Sequence, residues 1–433
     1  MPPRSKTNDH DGIRTTLRRA VHGAPVAANR GFRLLWIGET TSELGSSVAS
    51  VALPLVALGP LHATVFEVSL LTAAAWLPWL VVGLPAGVLV DRLRRRHVML
   101  AADAAALVLF GSVPIASWLG VLSVPLLLVV ALFGGAAQVF FTTAYRALLQ
   151  HVIPDEERMA ANARLQGSES VAQVAGPGLA GLLADVAGAV TGVLVNALSF
   201  AVSLVCVWRI IGAEEVGSAP HRRLLAEVRE GLAFVVRDAY LRTYVLFGGV
   251  ANLLLVGYQA ILVTFLVRGV HLSPGTIGVL LAGGQAGGIL GAVAARHLAV
   301  RVGTGRFLLL SKFVLGLGAL LLPLTTRGAG MAFLVLGVGI VAGSVVAGNV
   351  VSAGFVQSYC PPALLGRVAS SMQVVNLGAI PVGAVVGGVL ASSLGLRSTM
   401  WVLTGLLIPA SCILLTGPLR NQRTLPTVTF NTA

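Results

Sequence analysis

Between Val68 and Val90 the chain places twenty-three residues without a charge, and then five charges in the next six positions, D-R-L-R-R-R at 91–96. About 20 apolar residues rising 1.5 Å each cross the hydrocarbon of a bilayer, so a run of this length reads as a membrane-spanning helix. Lipid offers backbone groups no hydrogen-bond partners, which makes a helical bundle the default for a chain that repeats such runs. This chain repeats them twelve times, near 33–58, 68–90, 97–118, 122–149, 164–187, 190–211, 242–267, 274–297, 306–324, 329–356, 368–393 and 397–418. Of its 433 residues 56% are hydrophobic and 11% charged, against about a quarter charged in a soluble protein.

The net charge of +13 raises the question of nucleic acid. Its placement excludes that partner and gives a topology instead. Basic residues gather before the first run (Arg4, Lys6, Arg14, Arg18, Arg19, Arg30) and after the second (Arg92, Arg94, Arg95, Arg96). They recur at Arg158, between runs six and seven (Arg222, Arg223, Arg229, Arg237), and at Arg301, Arg367, Arg420 and Arg423. The opposite loops hold only Arg268, Arg327 and Arg397. Basic loops face the cytoplasm, so both termini are expected inside a bacterial plasma membrane. No apolar stretch for a cleavable signal opens the chain.

The expected organisation is a basic tail (1–32), a six-helix bundle (33–211), a linker (212–241), a second six-helix bundle (242–418) and a short tail (419–433). In the linker, Leu224, Leu225, Val228, Leu232, Val235 and Val236 fall on one helical stripe. That pattern suits a helix lying on the membrane surface, or a solvated linker helix. The halves echo one another: P-D-E-E-R (154–158) with P-A-L-L-G-R (362–367), and G-P-G-L-A-G-L-L (176–183) with I-P-V-G-A-V-V-G-G (380–388). Six-plus-six repeats of this kind build large secondary transporters.

At this point the chain resembles the major facilitator superfamily. G-V-L-V-D-R-L-R-R-R (87–96) is similar to that family's cytoplasmic signature between helices two and three. G-P-G-L-A-G resembles the Gly-Pro element of its antiporters, through Gly176, Pro177 and Gly181. N-R-G-F-R-L-L-W-I-G-E-T, V-A-L-P-L, R-E-G-L-A-F-V and L-L-G-R-V resemble the bacterial drug and macrolide efflux branch, which includes siderophore exporters. The chain departs from the pattern at Arg94 (usually Gly), Ala295 (the second-half counterpart of Asp91), Asn196 and Ala180. The resemblance implies an all-α membrane protein of twelve transmembrane helices in two pseudo-symmetric six-helix bundles. It also implies a cytoplasmic gate at Gly87, Asp91, Arg92, Arg95 and Arg96 that latches the halves.

Asp91 itself is unusual, because an acid at a helix C-terminus faces the wrong end of the dipole. It needs a partner such as Arg92, a neighbouring basic residue or the N-terminus of a second-half helix. All 17 acids lie at or before Asp238. Within the spans, Glu39 and Glu43 share a helical face, and Asp103, Glu169 and Asp185 follow. Intramembrane carboxylates are costly and usually functional. Glu43 lies about midway across the bilayer, where access to water decides whether it is charged, since burial disfavours the charged form. Glu43, Glu39, Glu169 and Asp103 are the candidates for proton coupling. Duller roles stand beside these: packing for Glu43, pairing with Arg33 or a headgroup for Glu39, pairing with Arg146 or Arg164 for Asp103, and an interfacial place for Asp185. Arg146 is either a membrane anchor or a counter-charge.

Gln138, Gln173, Asn196, Asn252, Tyr258, Gln259, Asn349 and Asn376 are candidate cavity groups for a substrate, together with Gln285 and Gln373; Trp36, Trp76, Trp79 and Phe265 are candidates to stack on it, and Trp118 suits an interfacial belt. Dense glycines at 283–291 and 383–388 read mainly as helix packing. No phosphate-cradling G-x-x-x-x-G-K-[ST] occurs, and Cys206, Cys360 and Cys412 show no metal or disulfide spacing. No enzyme, cofactor or metal is expected. The expected function is proton-coupled efflux of small amphipathic organic compounds by a monomer in the lipid bilayer. Export of an endogenous siderophore or secondary metabolite is the alternative, and a non-transporting scaffold or sensor the reading from another class.

Overall fold

The computed structural model describes residues 29–154, 157–210 and 224–426. The tail through residue 28, the linker stretch 211–223, and residues 155–156 and 427–433 lie outside them, and with them most of the expected basic tail, the first part of the linker and the end of the C-terminal tail. Among the described residues the regular structure is helical throughout. The first bundle contains α1 (Arg30–Leu58), α2 (Val65–Val81), α3 (Gly83–Arg92), α4 (Arg95–Trp118), α5 (Val124–Val152), α6 (Arg158–Ala187) and α7 (Ala189–Trp208). A connecting helix α8 (Leu224–Arg237) precedes α9 (Ala239–Thr264), α10 (Pro274–Val302), α11 (Thr304–Ala319), α12 (Met331–Tyr359), α13 (Pro362–Leu394), α14 (Leu396–Gly405) and α15 (Leu407–Cys412). Among the described residues eleven stretches are long and apolar enough to cross a bilayer, and the pair α2–α3, bent by 61°, makes a twelfth when taken as one span. Pro85 stands at that bend, and its ring nitrogen has no proton for the carbonyl one turn back.

Local chemistry sets the helix ends. Thr64 and Glu67 form a reciprocal capping box that starts α2. Asp238 accepts from Leu241 N to start α9, and also takes the Tyr359 hydroxyl at 2.7 Å. Gly188 joins α6 to α7 at φ 83°, and Gly395 joins α13 to α14 at φ 84°, a region that favours glycine. These two turns occupy matching places in the two halves.

The packing repeats in the same way. In the first bundle α1 packs on α6 and α7, α2 on α5, and α4 on α5 and α7; in the second, α9 packs on α13, α10 on α12, and α11 on α12. The halves meet where α6 crosses α10 and α2 crosses α13. Small residues allow the closest crossings. A methyl group at Gly287 or Gly291 of α10 would strike the carbonyls of Gly339 or Gly343 on α12.

The linker helix departs from the expected leucine stripe. Gly231 lets α8 press against the Arg367 carbonyl at the start of α13, and Glu230 accepts from Arg367 Nη1 at 2.6 Å. Val235, one turn on, is buried, while Leu232 and Val236 face outward. The helix therefore docks along its Gly231–Val235 edge. The side chains of Leu224, Leu225 and Val228 lie outside the described set.

Candidate functional site

Helices α1, α2, α5 and α6 of one bundle and α9, α10 and α12 of the other enclose a cavity of about 510 Å3. That volume falls within the range that holds drug-sized ligands. The walls are largely apolar. Polar groups enter at few points: Gln173 on α6, Tyr258 and Gln259 on α9, Gln285 on α10, and Ser50 and Thr72. Trp76 lines the cavity and sits 6.2 Å, centre to centre, from Trp79. Pro177 of the Gly-Pro element also lines it.

The acids cluster beside this chamber. Glu39 and Glu43 stand one turn apart on α1 and lie within electrostatic reach of Glu169 on α6, and Glu39 also within reach of Asp103 on α4 and Arg146 on α5. Glu39 thus faces the protein interior and not Arg33 or a headgroup. Glu169 accepts from Gln166 Nε2 at 3.0 Å and from Gln173 Nε2 at 3.2 Å. Gln173 therefore links the acid cluster to the cavity wall. Tyr145, stacked on Phe141, is buried beside Glu39 and Glu43, and its hydroxyl has no hydrogen-bond partner among the described residues.

Asp103 is almost fully buried and accepts from Ser203 Oγ of α7 at 2.8 Å. The expected partners were Arg146 or Arg164; the neutral Ser203 hydroxyl on the neighbouring α7 takes the place of Arg146. Arg146 is exposed and lines a second space of about 430 Å3 between the halves, with Gly83 and Gly87 on one side and Ser370 and Gln373 of α13 on the other.

Six proposed cavity residues do other work or lie elsewhere. Asn252 donates to Asn376 at 3.1 Å, tying α9 to α13. Asn196 is buried where α7 meets Gly45 of α1. Gln138 is 3.4 Å from Thr142 Oγ1 one turn along α5. Asn349 is exposed on α12 and does not line the cavity. Phe265 is fully buried under the Arg397 guanidinium, 5.6 Å from the ring centre.

The two ends of the bundle differ. At one end, Gly181 of α6 and Gly278 of α10 cross backbone to backbone, and the Asp185 carboxylate lies against Gly275 in the first turn of α10. An acid there meets the positive end of a helix dipole. Gly176 packs on Ser47 of α1, within its own bundle. At the opposite end nothing lies within 4 Å of a methyl group placed at Gly83 or Gly87. Asp91 is exposed there and has no ion pair or hydrogen bond among the described residues. The expected latch is not engaged in this conformation, because the halves stand apart where it would close.

The arginines of the signature divide. Arg96 donates to the Val207 carbonyl at 3.2 Å and to the Trp208 carbonyl, closing the end of α7. Arg95 donates to the His151 ring at 2.8 Å. Arg92 and Arg94 are exposed.

A family profile described as transmembrane secretion effector matches residues 22–431. The chain belongs to that family, a branch of the major facilitator superfamily. Its relatives include the multidrug efflux pump Tap of Mycolicibacterium fortuitum, 26% identical over 385 residues that cover 86% of this chain and 91% of the pump. Macrolide efflux protein A of Streptococcus pyogenes is 24% identical over 401 residues, covering 90% of this chain and 96% of that protein. Among solved structures, the nucleoside transporter NupG superposes with a TM-score of 0.73 at 12% identity, covering 90% and 99% of the two chains. A bacterial homologue of the iron transporter ferroportin in an inward-facing state gives 0.69 at 16% identity, covering 91% and 99%. These structures share the fold.

The chain is a multi-span membrane transporter and not an enzyme. One of its residues escaped the sequence reading. Lys312 on α11 is buried, with its ammonium 5.8 Å from the centre of the Phe247 ring and with no hydrogen bond or ion pair among the described residues. Gly348 of α12 leaves room for it. It stands eight residues into α11 as Asp103 stands eight into α4; Ser411 donates to its backbone carbonyl, whereas Ser203 donates to the Asp103 carboxylate. The signal was available: Lys312 is the chain's only lysine besides Lys6.

Proposed function

We propose that this transporter exports small amphipathic organic compounds in exchange for protons, rocking its two bundles about the central cavity. The carrying observation is the link from cavity to acids: Gln173 lines the chamber and donates to Glu169, which lies within electrostatic reach of Glu43 and Glu39. An amphipathic compound in the apolar chamber would meet Gln173, Gln259 and Gln285, and its arrival would perturb the carboxylates one residue away. A carboxylate cluster that takes up a proton from one side and releases it on the other supplies coupling without ATP. Drug and macrolide efflux among relatives of about 25% identity supports the substrate class.

The distribution of arginines supports a cytoplasmic side for the Asp91 end, with its gap between the halves. A compound would then enter from the cytoplasm or inner leaflet and leave past the Gly181–Gly278 crossing. The test is proteoliposomes with an imposed pH gradient and a fluorescent cationic amphiphile. Substrate-dependent proton movement is expected, and Glu43→Gln should abolish it while leaving substrate binding in place. Transport that ignores the gradient, or coupling that survives Glu43→Gln together with Glu169→Gln, defeats the reading.

A further inference from the structure

A groove of about 1070 Å3 runs along the outer surface of the first bundle, between α4 and α5. Ala101, Ala105 and Val108 on α4 face Phe133, Ala137 and Phe140 on α5 across it. The spacing 101, 105, 108 is one face of a helix, and the small side chains leave the trench open. Val108 is 70% exposed and Phe133 54%. From His97 to Leu109, the limits of the lining on α4, the axis advances about 18 Å, a little more than half of a ~30 Å hydrocarbon core. The trench is therefore one leaflet long.

One end of it is cationic. Arg92, Arg94 and His97 line that end, and no carboxylate lines the groove. These are the basic residues of the α3–α4 turn that the fold does not use. Arg96 closes the end of α7 and Arg95 holds His151, whereas Arg92 and Arg94 are exposed and make no hydrogen bond or ion pair among the described residues. Topology alone asks only for arginines near the membrane surface. It does not ask for two uncommitted guanidinium groups at the mouth of an apolar trench the length of an acyl chain.

We propose that this groove binds one anionic phospholipid, with its phosphate on Arg92, Arg94 and His97 and an acyl chain between α4 and α5. A soluble phosphate would use the mouth and leave the trench empty; a neutral lipid would use the trench and leave the guanidinium groups unmatched. Arg92 ends α3 while Arg94 and His97 flank the start of α4, so the bound lipid ties the turn that carries Asp91 to the wall of the bundle. The inference rests on the chain spanning a membrane and not on the export reading, and its test does not use transport.

The full-length protein, stripped of lipid in detergent, is titrated with phosphatidylglycerol or phosphatidylcholine of identical chains, and bound lipid is counted by native mass spectrometry. One phosphatidylglycerol should be retained in preference to phosphatidylcholine. Each basic residue near an anionic surface contributes roughly fivefold, so Arg94→Gln should weaken retention about 5-fold and Arg92→Gln with Arg94→Gln about 25-fold. Ala105→Trp, which fills the trench away from the arginines, should abolish retention; Val108→Trp, at a side chain already facing outward, should do the same and guards against misfolding of the first variant. Equal binding of the two lipids overturns the proposal, as does retention unaffected by either set of variants. Competition by glycerophosphoglycerol, a headgroup without chains, at the same concentration as the lipid also overturns it, leaving an anion site only.

Discussion

Gly181→Ala tests whether the crossing of α6 and α10 is a gate. A Cβ at Gly181 would stand 2.9 Å from Gly278 Cα and 3.0 Å from its nitrogen, and nearer still to the Pro274 carbonyl. Carbon atoms in contact rest at about 3.5–4.0 Å, so the helices must part by roughly 0.6–1 Å at this point. The obstacle is backbone, which cannot swing aside as a flexible side chain does. Overpacking that moves backbone costs about 1–3 kcal/mol, and the cost falls only on the conformation in which this end is shut. The ratio of the two conformations should therefore shift by about 5-fold to about 150-fold toward opening at the Asp185 end. The gain in helix propensity from Gly to Ala acts in both conformations and cancels. Gly87→Val supplies the opposite sign: a Cβ there has nothing within 4 Å now and meets an obstacle only when the Asp91 end closes. Spin labels at Val186 and Val279, both outward-facing on α6 and α10, report the separation by pulsed dipolar spectroscopy in nanodiscs, on a background without Cys206, Cys360 and Cys412. Gly181→Ala should enlarge the long-distance population and Gly87→Val should shrink it. An unchanged distribution for Gly181→Ala, or a shift of the same sign for both, refutes the assignment of the gate.

Two further outcomes are expected. Lys312→Met keeps the length of the side chain and removes a buried charge that has no counter-ion among the described residues; such replacements are often neutral or stabilising, so the melting temperature in detergent should hold or rise by a few degrees, and a clear fall would reveal an anionic partner for the ammonium. Arg96→Gln removes the charged donors that close α7, worth about 1–2 kcal/mol at a helix end; hydrogen exchange in the last turn of α7 should speed accordingly, while Arg94→Gln leaves that turn unchanged.

The spans were legible because the bilayer dictates them: hydrocarbon thickness fixes their length, and charges collect where they end. Helix partners were legible in part, since Gly176, Gly181 and the glycines from 283 to 291 mark where backbones can touch. The destination of each polar side chain was not. Asn252 and Asn376 lie 124 residues apart, and nothing in either neighbourhood says that they bond to each other and not to a substrate. The same holds for Asp103, whose partner Ser203 is one of many serines in apolar helices. A single helix tells which face is polar; only the rotation of its neighbours tells what that face meets. The arginine run at 94–96 carries the same lesson at close range, because one residue caps a helix, one holds a histidine and one faces the lipid side.

The two gate acids show why a carboxylate persists at the unfavourable end of a helix. Asp185 closes α6 and Asp91 closes α3, each near the negative end of its own helix dipole. Asp185 escapes that disadvantage by lying against the first turn of α10, a helix of the other half that opens with Pro274. The place in the opposite gate that corresponds to this turn is the start of α13, which opens with Pro362. Asp91 has no such contact here, because the halves stand apart at its end. On the proposed alternating-access reading, each acid is favoured in the conformation that shuts its own end, and the two ends do not shut together if a path to the cavity is to stay open. An acid placed at the wrong end of one helix and aimed at the right end of another contributes little to the stability of either bundle alone. Its free energy is a difference between two arrangements of the halves, which is the quantity that an alternating machine must keep small and reversible.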